Sequence, residues 1–155
     1  MVEIGKKAPD FKLESDTGET VQLSKLKGKA VVIYFYPKDD TPGCTTEAKD
    51  FSAAHEKVSA AGAVVLGISP DSVASHCKFK TKHDLAVTLL ADPDKVAAQA
   101  YGVWVEKSMY GKTYMGVERS TFLVDRTGKV AAAWSKVKVK GHVDEVMAAL
   151  ADLPG

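Results

Sequence analysis

Ala30-Val-Val-Ile-Tyr-Phe-Tyr36 runs directly into Pro37-Lys-Asp-Asp-Thr-Pro-Gly-Cys44-Thr-Thr-Glu47. The first half is almost wholly apolar and rich in β-branched and aromatic side chains, the composition of a central strand covered on both faces. The second half is turn chemistry followed by a helix start. Thr41 is a good residue for the helix cap, and Pro42 then occupies the first helical position, where its missing N–H costs nothing. Cys44 therefore falls in the first helical turn, among unpaired backbone N–H groups and at the positive end of the helix dipole. That setting favours an anion, and the thiolate is the nucleophilic form of cysteine.

Working outward, the pattern alternates strands and helices. Ala63–Ser69 repeats the buried-strand signature. Helices are expected over 42–60, 72–83, 94–101 and 142–150, and a short strand over 87–90. Hairpins are expected around Asp16-Thr-Gly18 and Asp125-Arg-Thr-Gly128. Lys136-Val-Lys-Val-Lys140 alternates strictly and reads as a lysine-protected edge strand. Trp104, Met109, Tyr110 and Tyr114 fall in a segment that reads as loop and could wall a pocket. The sum is an α/β fold with a central mixed β-sheet, helices on both faces and an N-terminal β-hairpin, in one domain over 1–155.

Composition narrows the function. The 155 residues carry a formal net charge of +1, which offers no electrostatic case for nucleic acid or an anionic membrane as partner. No signal-peptide pattern opens the chain and no apolar run could span a bilayer, so a cytoplasmic protein is expected. There a permanent disulfide is disfavoured and a transient one is possible. Nothing argues for a metal or organic cofactor. The two cysteines are Cys44 and Cys77, and no C-x-x-C is present. The two arginines are Arg119 and Arg126. Arg126 sits in a turn where lysine would serve as well. Arg119 precedes an apolar strand, where its charge needs a partner and its rigid fork suits bidentate donation. On helical spacing, Cys44, Ala48, Phe51, His55 and Val58 form one stripe, so Cys44 should face partly inward.

Pro37, Thr41 and Cys44 match the P-x-x-x-T/S-x-x-C signature of the peroxiredoxins, and Glu47 follows as in the bacterioferritin comigratory protein, or Q-type, group. Gly5–Phe11, Ser69–His76, Tyr101–Lys107, Tyr110–Tyr114 and Gly116–Phe122 also resemble that family, in its order. The resemblance implies a thioredoxin-like fold and a thiol-dependent peroxidase acting on hydrogen peroxide and organic hydroperoxides. It makes Cys44 the peroxidatic cysteine. Thr41 would contribute a hydroxyl, Arg119 guanidinium donors, and Pro37 the shape of the turn. Glu47 would hold Arg119 or lie on the helix surface, and Gly43 would act as a hinge.

Many members of the group carry a second cysteine five residues after the first; here that position is Lys49. Others place it on the next helix, about one turn further along than Cys77, so Cys77 matches that helix and not that position. Its neighbours Lys78 and Lys80 suggest an exposed, basic setting that favours some thiolate character. The resemblance thus implies that Cys77 resolves Cys44 as an intramolecular disulfide, with local unwinding, and that a thioredoxin-like protein recycles it. It also implies a monomer. A half-buried, inert Cys77 is the plain alternative, and a metal site of His76, Cys77 and His83 lacks a fourth ligand. Two rival functions keep Cys44 but not the peroxidase: an acyl-transfer hydrolase, with His55 as the nearest base in sequence, and a redox sensor without turnover.

Overall fold

The computed structural model describes residues 2–154; Met1 and Gly155, the ends of the expected 1–155 domain, lie outside them. The first elements are β1 (Lys12–Glu14), β2 (Thr20–Gln22), a 3₁₀ turn (Leu23–Leu26) and β3 (Ala30–Phe35). Next come α1 (Pro42–Ala53), α2 (His55–Ala60), β4 (Ala63–Ser69), α3 (Val73–His83), β5 (Thr88–Ala91) and α4 (Val96–Ala100). The chain closes with β6 (Trp104–Met109), β7 (Lys112–Val117), β8 (Ser120–Val124), β9 (Val130–Trp134) and α5 (His142–Ala151).

The central sheet has five strands in the order β5-β4-β3-β8-β9. β3 pairs in parallel with β4 and antiparallel with β8, so the sheet is mixed as expected. All six residues of β3 are buried. Alternation along a strand sends successive side chains to opposite faces. Ala30, Val32, Tyr34 and Tyr36 accordingly join one core cluster with Cys44, Phe51, Phe79 and Val146. Val31, Ile33 and Phe35 join the other with Phe11, Ala98, Tyr101 and Phe122. Helices α1, α2, α3 and α5 thus contribute to the first face, and α4 with the N-terminal segment covers the second. The N-terminal hairpin is present, with Leu13 opposite Val21.

Three expectations are corrected. The helix expected over 42–60 is two helices, broken at Ala54. The break rotates the stripe, and His55 is exposed while Val58 remains buried. The segment read as loop is a hairpin, β6 and β7, closed by Tyr110 and Gly111 at φ 53° and 75°. Positive φ at both central positions is the hairpin turn for which Asn-Gly is the usual signal, and Tyr110 hides it. Met109, Tyr110 and Tyr114 are exposed on this hairpin rather than buried in a pocket wall. Finally, Lys136–Lys140 is not a strand. Lys136 takes φ 49°, which breaks the extended path.

Candidate active site

The site is built on the junction of β3 and α1. Pro37 to Asp40 form the turn, with Asp40 at φ 60°, a conformation aspartate tolerates better than most residues. Thr41 has the extended backbone of a helix cap, and Pro42 follows in the first turn. The Thr41 side chain, however, makes no capping hydrogen bond. Its hydroxyl instead donates to the Lys38 carbonyl at 2.9 Å. The first intrahelical bond runs from Thr45 N–H to Thr41 O, so the Gly43 and Cys44 N–H groups precede the ladder.

Cys44 is 1% exposed. Arg119 lies in the connection between β7 and β8 and reaches across to it. Its Nη2 donates to Cys44 Sγ at 3.2 Å, and its Nη1 donates to Glu47 Oε1 at 2.7 Å. The arginine backbone is pinned from the other side, since Val137 N–H donates to Arg119 O at 2.9 Å. The segment misread as an edge strand therefore buttresses the arginine.

Glu47 sits one turn after Cys44 and is fully buried. Burial pushes its carboxyl up to about 7, against the opposing pull of Arg119. Among the described residues its second oxygen, Oε2, finds no hydrogen-bond partner, nor does the buried Tyr34 hydroxyl. Burial, then the charges of Glu47 and Cys44, drive Tyr34 well above the ordinary phenol range. For Arg119, burial works against the charge, but Glu47 and Cys44 outweigh it and raise the guanidinium further. The guanidinium is therefore a fixed cation at a dry thiol.

Gly43 has an ordinary negative φ. Its role is space: a Cβ there would stand 3.2 Å from Arg119 Nη2. Pro37 is half-buried at the start of the turn. The structure thus brings Cys44, Arg119, Glu47 and Gly43 together, with Thr41 at the helix entry. Arg126 is not the replaceable surface arginine expected. Its fork donates to the carbonyls of Pro154 at 2.8 Å and Ala61 at 2.6 Å, tying the C-terminal end to the start of β4.

Cys77 is free, exposed and separate from this group, as Cys44 is free and buried. Its Sγ donates to the Asp16 carbonyl at 3.1 Å, a bond that needs the protonated thiol. The lysine-rich surroundings expected to favour a thiolate do not act alone. Lys80 is spent on the Asp16 carboxylate at 2.8 Å.

Sequence reasoning missed the buried network beside the site. Asp39 accepts from Tyr36 OH at 2.7 Å and Ser75 Oγ at 2.8 Å, and lies 2.7 Å from His76 Nδ1. His76 Nε2 faces the Leu90 carbonyl at 2.9 Å, so that nitrogen carries a proton. The signal available was Asp39 in the turn and His76 on the inward stripe of α3, 37 residues apart. Asp71 joins through the Asp39 N–H at 2.8 Å. Asp39, Asp71 and His76 have the residue types of a metal cluster. Their facing atoms are already engaged by protein hydrogen bonds. His83 points elsewhere, to Asp40, so the His76, Cys77 and His83 set is not assembled.

The AhpC/TSA family model matches residues 4–133. Peroxiredoxin Bcp of Bacillus subtilis is 55% identical over 152 residues, covering 98% of this chain and 97% of that protein. A structure of the Xanthomonas campestris bacterioferritin comigratory protein, described for its alkyl peroxide reduction activity, superposes with a TM-score of 0.89. It is 46% identical and covers 97% of this chain and 96% of that one. The PrxQ of Xylella fastidiosa, in a Cys-to-Ser variant, superposes with a TM-score of 0.92 at 37% identity, covering 97% of this chain and 96% of that one. A thioredoxin-like α/β fold over nearly the whole length is what these relatives share with the chain, which belongs to the AhpC/TSA family and, within it, to the bacterioferritin comigratory protein group of the peroxiredoxins, thiol peroxidases by activity.

Proposed function

We propose that Cys44 is the peroxidatic cysteine of this thiol peroxidase, that Cys77 resolves it within the same chain, and that a thioredoxin-like dithiol protein recycles the disulfide. The observation that carries the reading is the Arg119 fork, with one nitrogen 3.2 Å from Cys44 Sγ and the other 2.7 Å from Glu47. In the first step the Cys44 thiolate attacks the terminal hydroxyl oxygen of a hydroperoxide. The S–O bond forms as the O–O bond breaks, leaving Cys44 as sulfenic acid and an alkoxide or hydroxide that takes a proton from water. Negative charge moves from sulfur to the leaving oxygen. Arg119 Nη2 and the free N–H groups of the first helical turn are donors that can follow it. The Thr41 hydroxyl gives its proton to the Lys38 carbonyl, which leaves its lone pairs as acceptors for a peroxide O–H. Pro37 sets the turn that shields the thiol.

In the second step the Cys77 thiolate attacks Cys44 Sγ and hydroxide leaves as water, giving the disulfide. Cys44 is buried and Cys77 exposed and bonded to Asp16, so the reaction requires local unfolding of one or both segments. An external dithiol then returns both thiols. The substrates supported are hydrogen peroxide and small organic hydroperoxides, the latter in keeping with the Xanthomonas relative. The chain acts as a monomer in the cytoplasm, a reading that rests on its resemblance to the family; among the described residues no helix is long and apolar enough to cross a membrane.

The hydrolase alternative loses its base, because His55 is exposed on α2 while Cys44 is buried. The test is one equivalent of hydrogen peroxide added to reduced protein, followed by intact mass under thiol-blocking, non-reducing conditions. The expected product has lost about 2 Da and has no free thiol. A gain of about 16 Da with one thiol free would remove Cys77 from the mechanism, and no change would remove Cys44. The Cys77→Ser variant should stop at the sulfenic acid.

A further inference from the structure

Helix α3 is held to the rest of the fold in an unusual way. Of its eleven residues only His76 and Phe79 are buried, so a single apolar side chain anchors it. The remaining attachment is polar: His76 Nε2 faces the Leu90 carbonyl at 2.9 Å, and the other ties run to three aspartates outside the helix. Asp39 takes Ser75 and His76, at 2.8 and 2.7 Å. Asp16 takes Lys80 at 2.8 Å through its carboxylate and Cys77 at 3.1 Å through its carbonyl. Asp40 takes Lys82 at 2.6 Å and His83 at 2.8 Å. Two of the three, Asp39 and Asp40, belong to the turn that presents Cys44.

An element with so little apolar burial opens at low cost, and its polar ties then decide how often it does. The ties are unequal. The Asp39 side chain is 4% exposed and His76 is fully buried, so this bond is charge-assisted and dry. Asp16 is 5% exposed at its side chain and its partner Lys80 26%. Asp40 and Lys82 are 43% and 62% exposed, where such pairs contribute little. The order of importance is therefore Asp39, then Asp16, then Asp40.

We infer that Asp39 and Asp16 are positioning residues for the resolving step: they latch α3 in place and set how fast Cys77 can leave Asp16 and reach the Cys44 sulfenic acid. This rests on the reading that Cys77 resolves Cys44. The competing fate of the sulfenate is attack on a second hydroperoxide, which transfers one oxygen to give sulfinate and an alcohol. A tight latch lengthens the life of the sulfenic acid and exposes it to that reaction; a loose latch protects it. Asp39 adds a second effect, because the residue that holds α3 closed also holds the turn of Cys44 in its reactive form.

The test uses full-length Asp16→Asn, Asp39→Asn and Asp40→Asn proteins in three measurements. The first is amide exchange at 73–83 in the reduced state. The second is the rate of the 2 Da loss after peroxide. The third is the peroxide concentration that converts half of Cys44 to sulfinic acid. Asp16→Asn does not touch the Cys44 turn, so its first oxidation should run at the wild-type rate. Its exchange at 73–83 and its disulfide formation should both speed up by about tenfold, the effect of losing one charge-assisted hydrogen bond. Its sulfinic threshold should rise accordingly. Asp40→Asn should stay within about threefold of wild type. Wild-type rates and thresholds in Asp16→Asn overturn the latch, and that variant answers the question even if Asp39→Asn does not fold. If wild-type protein forms no disulfide, both the latch's role in resolution and the Cys77 reading fall. If it forms one at rates indifferent to the aspartates, only the latch falls.

Discussion

Arg119 Nη1 stands 2.7 Å from Glu47 Oε1, yet the Glu47 carboxyl is raised to about 7. Pairing alone would lower it. Burial is the larger effect because Glu47 is fully enclosed and its second oxygen has no hydrogen-bond partner among the described residues. The pair therefore works as a strut that tolerates a neutral carboxyl: either protonation state accepts from Arg119, and the fork stays aimed at Cys44.

Glu47 should make stability fall with rising pH. Its folded value, about 7, lies above the ordinary 4.5, so the native state holds the extra proton between those limits. Stability from this group is full below about 4.5 and is lost as pH rises through 7. The difference is on the order of 3 kcal/mol. Urea denaturation of wild type and Glu47→Gln from pH 5 to 8 checks it: the variant should show a flatter profile. Equal slopes would mean that Glu47 is ionised throughout.

Arg119→Lys should slow Cys44 oxidation by about a hundredfold, the loss expected for one preorganised donor at a developing charge. Lysine has one point of charge and cannot hold Glu47 and the sulfur together as the fork does. Rapid-quench measurement of the second-order rate with hydrogen peroxide decides. A change under threefold would show that the Cys44 N–H and its neighbours carry the catalysis.

Gly43→Ala separates geometry from stability. The added Cβ would press on Arg119 Nη2 at 3.2 Å. Alanine at a helical φ should keep or slightly raise the melting temperature, since it stiffens the unfolded chain. The peroxide rate should nevertheless fall about tenfold through displacement of the guanidinium. A flexible arginine that yields without cost would leave the rate unchanged.

Gly67→Ala tests the floor of the site. Gly67 pairs with Tyr34 across β3 and β4, and a Cβ would stand 2.6 Å from the Tyr34 ring. That ring is stacked on Phe51 at 4.7 Å and on Tyr36 at 5.5 Å, so it cannot move aside. A destabilisation of about 2–3 kcal/mol is expected in chemical denaturation. A loss below about 0.5 kcal/mol would mean the aromatic stack is loose.

Residues 30–47 settled much of the fold and the centre of the site unaided. A continuous apolar run specifies a central strand whatever surrounds it, and Thr-Pro-Gly-Cys specifies a helix start through local backbone chemistry alone. The helical spacing of Cys44 and Phe51 was enough to bury both. Arg119 was legible because a lone arginine before an apolar strand must find a partner.

What depended on the tertiary structure lies in contacts that no local pattern encodes. Asp39 and His76 are 37 residues apart in sequence and meet only because parallel strands bring the ends of β3 and β4 together. The same folding aims Cys77 at Asp16 and engages Lys80 there, contacts that the sequence neighbours of Cys77 do not encode. Val137 supports Arg119 instead of forming an edge strand because Lys136 turns the chain. Burial and long-range pairing are properties of the whole chain, and they decide which charges are buried, which donors are free and which helix is held mainly by polar contacts.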